Sequence, residues 1–193
     1  SCDFVQDYLL NEQRAGRIQY LILSKKNLGK GGAWNQILAG APGEIIAYAD
    51  SDVKFLEGWL PRSIELLETY PKVGMVTSRP YRTKQEFFTN TISWAKENEQ
   101  VNLKSGQFIP WETFLEFNLS LGHSEDEIRK IYEESEDIQI DYEGVSAIVG
   151  ASHWQFVAYK SVLHEFLPFE MSRPMGQVRQ LDERMNAAGY LRL

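Results

Sequence analysis

The sequence predicts an α/β fold: a three-layer sandwich built on a mostly parallel sheet, with a helical insertion. Two observations predict it. Apolar runs of strand length at residues 17–24, 44–49 and 73–78 alternate with helical patterns at 31–39 and 60–69. Strand, helix, strand at this spacing implies parallel pairing through right-handed crossovers. The chain has 193 residues, enough for one domain that buries about 70% of its unfolded surface without staples.

Each element has a local reason. Residues 3–15 read as an amphipathic helix, with Val5, Tyr8 and Leu9 on one face and Gly16 as the stop. RIQYLILS, residues 17–24, is mostly apolar and reads as a strand buried on both faces. The helix at 31–39 is ended by Gly40 and Pro42, and EIIAYA at 44–49 is the next strand. The helix at 60–69 tolerates Pro61 in its first turn. VGMVTS at 73–78 is the third strand. Residues 83–143 then read as a helical excursion, with helices at 83–99, 111–121 and 124–134. Ser124 and Glu127 stand at capping-box spacing, and Ile128, Ile131 and Tyr132 give that last helix one apolar face. VSAIVG at 145–150 returns as a strand, 178–188 is the final helix, and YLRL ends the chain as an edge-like strand. Residues 1–193 are thus expected to form a single domain, with parts at 1–82, 83–143 and 144–193.

Composition excludes several functions. The net charge is −7, and nine acids against Arg129 and Lys130 between His123 and Glu143 account for all of it. Such a run reads as a solvated helix face. The balanced remainder has no basic stripe to follow a phosphate backbone, so nucleic acid is not the expected partner. Cys2 is the sole cysteine, which excludes an internal disulfide or a thiolate metal cluster and fits a reducing, cytoplasmic setting. No apolar stretch reaches the length of a membrane span.

Chemistry concentrates in NLGKGGAWNQILAGAPGEIIAYADSDV, residues 27–53. A glycine-rich turn opens a helix, and the following strand ends in Asp50 and Asp52. Ligands of open α/β sheets bind outside the carboxyl ends of the strands. Two neighbouring carboxylates repel each other unless something cationic meets them. Magnesium or manganese would do so with positions left for a diphosphate. The plainer alternative has one aspartate capping the turn and the other solvated. The glycine turn lacks the spacing of a Walker phosphate loop. Gly29 and Gly31 fit the start of a dinucleotide fingerprint, with Asp50 near the position of its ribose-binding acid, but Trp34 stands where the third glycine belongs.

Taken whole, Asn27, Gly29, Ala33, Asn35, Gly43, Glu44, Asp50 and Asp52, followed by FLEGWL and a late AAGYLRL, resemble the inverting family 2 glycosyltransferases of the GT-A fold, a nucleotide-diphospho-sugar transferase-like architecture. The resemblance covers residues 1–80 and 145–193. It implies a nucleotide-sugar donor, a saccharide or other hydroxyl acceptor, and a divalent cation, Mn2+ or Mg2+, held by Asp52 with Asp50 near both metal and ribose. Asn27, Gly29 and Lys30 would border the nucleotide, and Asp3 falls near a further nucleotide-binding position. The family's base-bearing Glu-Asp pair aligns with Gln177 and Val178, which cannot act as bases, so Asp182 is the nearest candidate catalytic carboxylate and Glu183 the next. His153 and Trp154 are expected on the acceptor side, where Trp154 or Trp111 would stack on a sugar; a core or surface role is the alternative for each.

The resemblance also implies a fragment without the first βαβ unit, with exposed sheet edges that favour a homodimer or another filling segment. Two other functions remain open at the level of sequence. One is a glycosyltransferase-like scaffold without activity. The other is a nicotinamide-dependent oxidoreductase, resting on Gly29, Gly31 and Asp50. A phosphatase of the Asp-x-Asp type is disfavoured, because Lys54 stands where its motif wants Thr or Val.

Overall fold

A computed structural model describes residues 2–78, 80–171 and 178–193. The chain runs α1 (Asp3–Arg14), α2 (Gly29–Gly40), β1 (Ile45–Ala49), α3 (Trp59–Thr69) and β2 (Val73–Met75). A 3-10 turn (Gln85–Phe87) then leads to α4 (Thr89–Glu97), β3 (Asn102–Gly106), α5 (Trp111–Ser120), α6 (Glu125–Glu134) and β4 (Asp137–Tyr142). The remaining elements are β5 (Val145–Ile148), β6 (Gln155–Tyr159), α7 (Lys160–His164), α8 (Arg179–Ala187) and β7 (Leu191–Arg192). No helix among the described residues is long and apolar enough to cross a membrane.

The fold is mixed α/β, as expected, but its sheets are largely antiparallel rather than parallel. β1 pairs antiparallel with β6, with Ala49 opposite Gln155. β6 continues to the end of β2 through an antiparallel bridge between Val157 and Val76. Among the described strands only β2 and β7 form a parallel ladder. The N–H of Gly150 donates to the carbonyl of Arg192 at 3.0 Å, linking β7 to the chain just after β5. β3, β4 and β5 form an antiparallel sheet in that order.

Side-chain alternation along these strands separates two apolar clusters. Met75, Phe156 and Ala158 enter one, with Trp34 and Leu38 of α2 and Leu181 and Met185 of α8. Val76 and Val157 enter the other, with Leu66 and Leu67 of α3, Ile92 of α4 and Leu191. A third, smaller cluster of Ile109, Phe114 and Ile128 lies beneath α5 and α6.

Several expectations are corrected. Residues 17–24 pair with no strand among the described residues, and Tyr20 is 61% exposed. β-propensity is realised only against a neighbouring strand, and none among the described residues lies beside this segment. α1 forms as expected but buries none of its residues, leaving Phe4 79% exposed. The expected helix at 83–99 is split into the 3-10 turn and α4. The excursion at 83–143 is not wholly helical, because it carries β3 and β4. YLRL is no edge: Leu191, Arg192 and Leu193 are buried between β2 and the Gly150 segment.

The capping box at Ser124 and Glu127 is present as predicted. The acidic run has one member that is not solvated. Asp137 is buried, accepts from Arg82 Nε at 2.8 Å, and accepts the backbone N–H groups of Phe108 and Ile109 at 2.9 Å each. Arg82 also donates to the carbonyls of Tyr132 and Ser135 and lies 4.8 Å from both the Phe114 and Tyr132 ring centres. This ion pair joins the start of the excursion to its far end.

Candidate functional site

The strand register brings two parts of the chain to one place. Because Ala49 faces Gln155, the chain leaves β1 at Asp50 on the same sheet end where His153 and Trp154 enter β6. Thr77 and Ser78 follow β2 to that end as well. Thr77 Oγ1 donates to the Gln155 carbonyl at 2.7 Å, and the Ser78 N–H donates to Gln155 Oε1 at 3.0 Å. The carboxyl ends of β1 and β2 therefore meet the start of β6, the position where α/β sheets bind ligands.

On the α2 side, Asn27 Oδ1 accepts the N–H of Gly29 at 2.9 Å and closes the turn into α2. Gly29 has φ +63°, which explains glycine there. Lys30, the second residue of α2, then faces Asp50. Lys30 Nζ lies 2.7 Å from Asp50 Oδ2, and the Tyr48 hydroxyl donates to Asp50 Oδ1 at 2.5 Å. Burial first, and then the bond to Asp50, push the Tyr48 phenol well above its ordinary value, so it remains a donor at neutral pH. Lys30 Nζ also sits 5.6 Å from the ring centres of both Trp34 and Tyr48. Asp52 lies in the exposed turn that follows.

Both Asp50 oxygens are thus engaged, and the two aspartates do not form an open pair. No group of three or more His, Cys, Asp or Glu among the described residues is arranged to hold a metal. Of the two carboxylates, Asp52 is the exposed one that a cation would meet.

On the other side, Asp182 of α8 is 2% exposed. Its Oδ1 accepts from Arg192 Nη2 at 2.6 Å, and its Oδ2 lies 2.5 Å from His153 Nδ1. Arg192 is fully buried on β7 and also donates to the carbonyls of Phe87 and Ala151. Burial lowers its guanidinium pKa from the ordinary value, and Asp182 opposes that fall. His153, Asp182, Ser152, Trp154, Tyr81 and Arg179 line a cleft of about 120 Å3. A larger cleft of about 350 Å3 shares Tyr81 and Thr83 with it and extends over Gly150 and Ala151 toward Asp137. Trp154, 40% exposed, stacks on Tyr81 with ring centres 6.2 Å apart.

Buried Trp34 connects the two sides: its ring centre lies 4.9 Å from that of Tyr48 and 6.4 Å from that of His153. The structure therefore gathers Asn27, Gly29, Lys30, Asp50 and Asp52 on one side and His153, Trp154 and Asp182 on the other. No described contact ties Asp3 to either group. Trp111 belongs elsewhere, packed against Tyr132 and the small cluster beneath α5. Glu183 is exposed, and Gln177 lies outside the described residues. Trp34 fills the space that a third fingerprint glycine would leave open, packing on Phe156 and Phe169 as well as Tyr48. Sequence reasoning missed three contributors: Tyr48, Tyr81 and Arg192. Tyr48 was within reach of it, since residues two apart on a strand share a face.

Comparison with curated proteins and with solved structures finds no match. The sequence profile described as Glycosyl transferase family 2 matches residues 3–121, more than half of the chain. That span holds Asn27, Gly29, Lys30, Asp50 and Asp52, and it runs on into α5 of the excursion. The end of β1 therefore has a family context as well as a geometric one: the chain belongs to glycosyl transferase family 2.

Proposed function

We propose that this chain transfers a sugar from a nucleotide-sugar to an acceptor hydroxyl, with inversion and with a divalent cation accompanying the diphosphate. The observation that carries this reading is the register of β1 against β6. It sets the aspartates and lysine of the family-matched segment beside the cleft of His153, Trp154 and Asp182. Donor and acceptor chemistry need such adjacency, since a single displacement requires the two substrates in line.

In this reading Asn27, Gly29 and Asp50 border the nucleotide, with Asp3 as a further candidate from α1. Mn2+ or Mg2+, held by Asp52 and phosphate oxygens, would offset the charge that grows on the leaving diphosphate. Lys30 turns from Asp50 toward the phosphates, and its ammonium is suited to this as a mobile point charge. Tyr48 holds Asp50 in place while Lys30 moves. The stacked pair of Trp154 and Tyr81 offers an aromatic face to an acceptor sugar. Inversion needs one base on the acceptor side, where Asp182 and His153 lie in contact.

A second reading has its own observation. Asp50 is closed by Lys30, which suits a glycosyltransferase-like module that binds without turnover. One experiment separates the two. Saturating Mn2+ with UDP or GDP, at a hundred times the dissociation constant, adds about 2.7 kcal/mol to stability. That corresponds to a melting shift of roughly 5–10 °C at this chain length. The transferase reading expects that shift, its loss in Asp52→Ala, and release of nucleoside diphosphate from a nucleotide-sugar. The shift without any release supports the inactive module, and no shift with either nucleotide overturns both readings.

A further inference from the structure

We propose that His153, not Asp182, is the group that takes the proton from the acceptor hydroxyl, with Asp182 and Arg192 positioning its ring. This rests on the transferase reading and assigns the base within the same site. Three observations carry it. Asp182 is 2% exposed, and its two carboxylate oxygens are engaged by Arg192 and His153. Its contact with the ring is at Nδ1, so the carboxylate holds a proton there and leaves Nε2 as the lone-pair nitrogen. No hydrogen bond from Nε2 to another described residue accompanies it, and His153 lines the cleft beside Trp154 and Tyr81. A buried carboxylate, an imidazole and a substrate hydroxyl in line form the arrangement by which a histidine base is oriented elsewhere in enzyme chemistry.

The step balances as follows. The acceptor oxygen forms its bond to the anomeric carbon as the bond from that carbon to the diphosphate oxygen breaks. The electron pair of the broken bond leaves with the nucleoside diphosphate. The acceptor proton moves to His153 Nε2, and the imidazolium then returns it to solvent. Arg192 supplies the fixed countercharge that holds Asp182 in register with the ring. Among the described residues, the charged and titratable groups around the ring are Asp182 and Arg179 of α8, Arg192 of β7, and Tyr81 and Lys84 before the 3-10 turn.

Two measurements on the full chain test this. Nitrogen-15 spectra of the histidine rings at neutral pH, with the His153 signal assigned from His153→Gln, should show the Nδ1–H tautomer. An Nε2–H ring overturns the proposal and leaves the transferase reading standing. In parallel, nucleoside diphosphate release is measured from UDP-glucose, UDP-N-acetylglucosamine and GDP-mannose with Mn2+. His153→Gln should lower kcat at least a hundredfold on the donor that is turned over, remove the ascending limb of the pH profile, and leave Mn2+–UDP binding within twofold. Added imidazole should restore part of the turnover of His153→Ala. Full turnover in His153→Gln overturns the assignment alone. A wild-type chain that binds Mn2+–UDP yet releases nothing from any donor overturns it together with the transferase reading. Asp182→Asn strands the Arg192 charge and endangers folding, so neither measurement depends on it.

Discussion

On the proposed reading, replacing Lys30 by methionine should tighten the binding of a divalent cation at Asp52. The side chain keeps its bulk and loses an ammonium that sits 2.7 Å from Asp50 Oδ2. The pair is about one-third exposed on each side, at 31% and 38%, so solvent screens it. Its contribution to folding is under about 1 kcal/mol, and the variant should melt within a few degrees of the wild type. The effect on a divalent ion at Asp52 is larger. Two unit charges about 4 Å apart in water-like surroundings interact by about 1 kcal/mol, so an ammonium at that separation from Mn2+ would oppose it by about 2 kcal/mol. Removing it should tighten Mn2+ binding roughly thirtyfold without nucleotide.

The assay is Mn2+ titration read by electron paramagnetic resonance. With UDP present the gain should shrink to about threefold or less, because the same lysine is then missing from the phosphates. The unequal responses of free and UDP-bound metal distinguish a swinging lysine from a purely structural one. The reasoning fails if Lys30→Met binds free Mn2+ no better than the wild type, or if the gain survives in the Lys30→Met, Asp52→Ala double variant.

Two predictions concern the frame that holds the site. Arg82→Leu strands Asp137, 1% exposed in its side chain, and should cost about 3–5 kcal/mol in urea unfolding. The Arg82→Leu, Asp137→Leu double variant should recover part of that loss, and a loss under about 1 kcal/mol in the single variant would show that the excursion is anchored elsewhere. Gly74→Ala should cost about 1–3 kcal/mol, because its Cβ would lie 2.8 Å from the Tyr190 Cβ and 3.1 Å from the Met185 sulfur. Mn2+–UDP affinity should survive that change, since the groups the Cβ would meet belong to Met185, Tyr190 and Leu191 and not to β1 or α2.

The α2–β1 half of the candidate site was readable because its signals are local. A glycine turn, a helix and an apolar strand ending in acids are each set by neighbours a few residues away, and α2 and β1 form within two residues of expectation. What escaped depended on partners far along the chain. RIQYLILS has the composition of a strand, but a strand needs a neighbour, and no described segment supplies one. β6 was not predicted at all, although its pairing with β1 brings His153 beside Asp50. QFVAY is short and is buried at four of its five positions, so it lacks the alternation that marks a half-exposed strand. Asp137 sat in a run of acids whose average behaviour is solvation, and only Arg82, 55 residues away, reveals its different role.

Arg192 shows why Asp182 is a poor place to look for the base and His153 a good one. A buried guanidinium needs a countercharge and hydrogen-bond acceptors, and leaving it without them is strongly destabilising. The carbonyls of Phe87 and Ala151 provide acceptors, and Asp182 provides the charge. That duty fixes Oδ1 toward β7 and leaves Oδ2 for one further partner, which is His153. Loss of activity on changing Asp182 would therefore mix lost packing with lost chemistry. The imidazole carries no such burden: its Nδ1 contact is to a group already held in place from behind, so a glutamine there keeps a polar donor for Asp182 while removing the proton-accepting nitrogen. A defect in turnover without a defect in melting at residue 153, set against a defect in both at residue 182, is the pattern that separates a proton acceptor from the scaffold behind it.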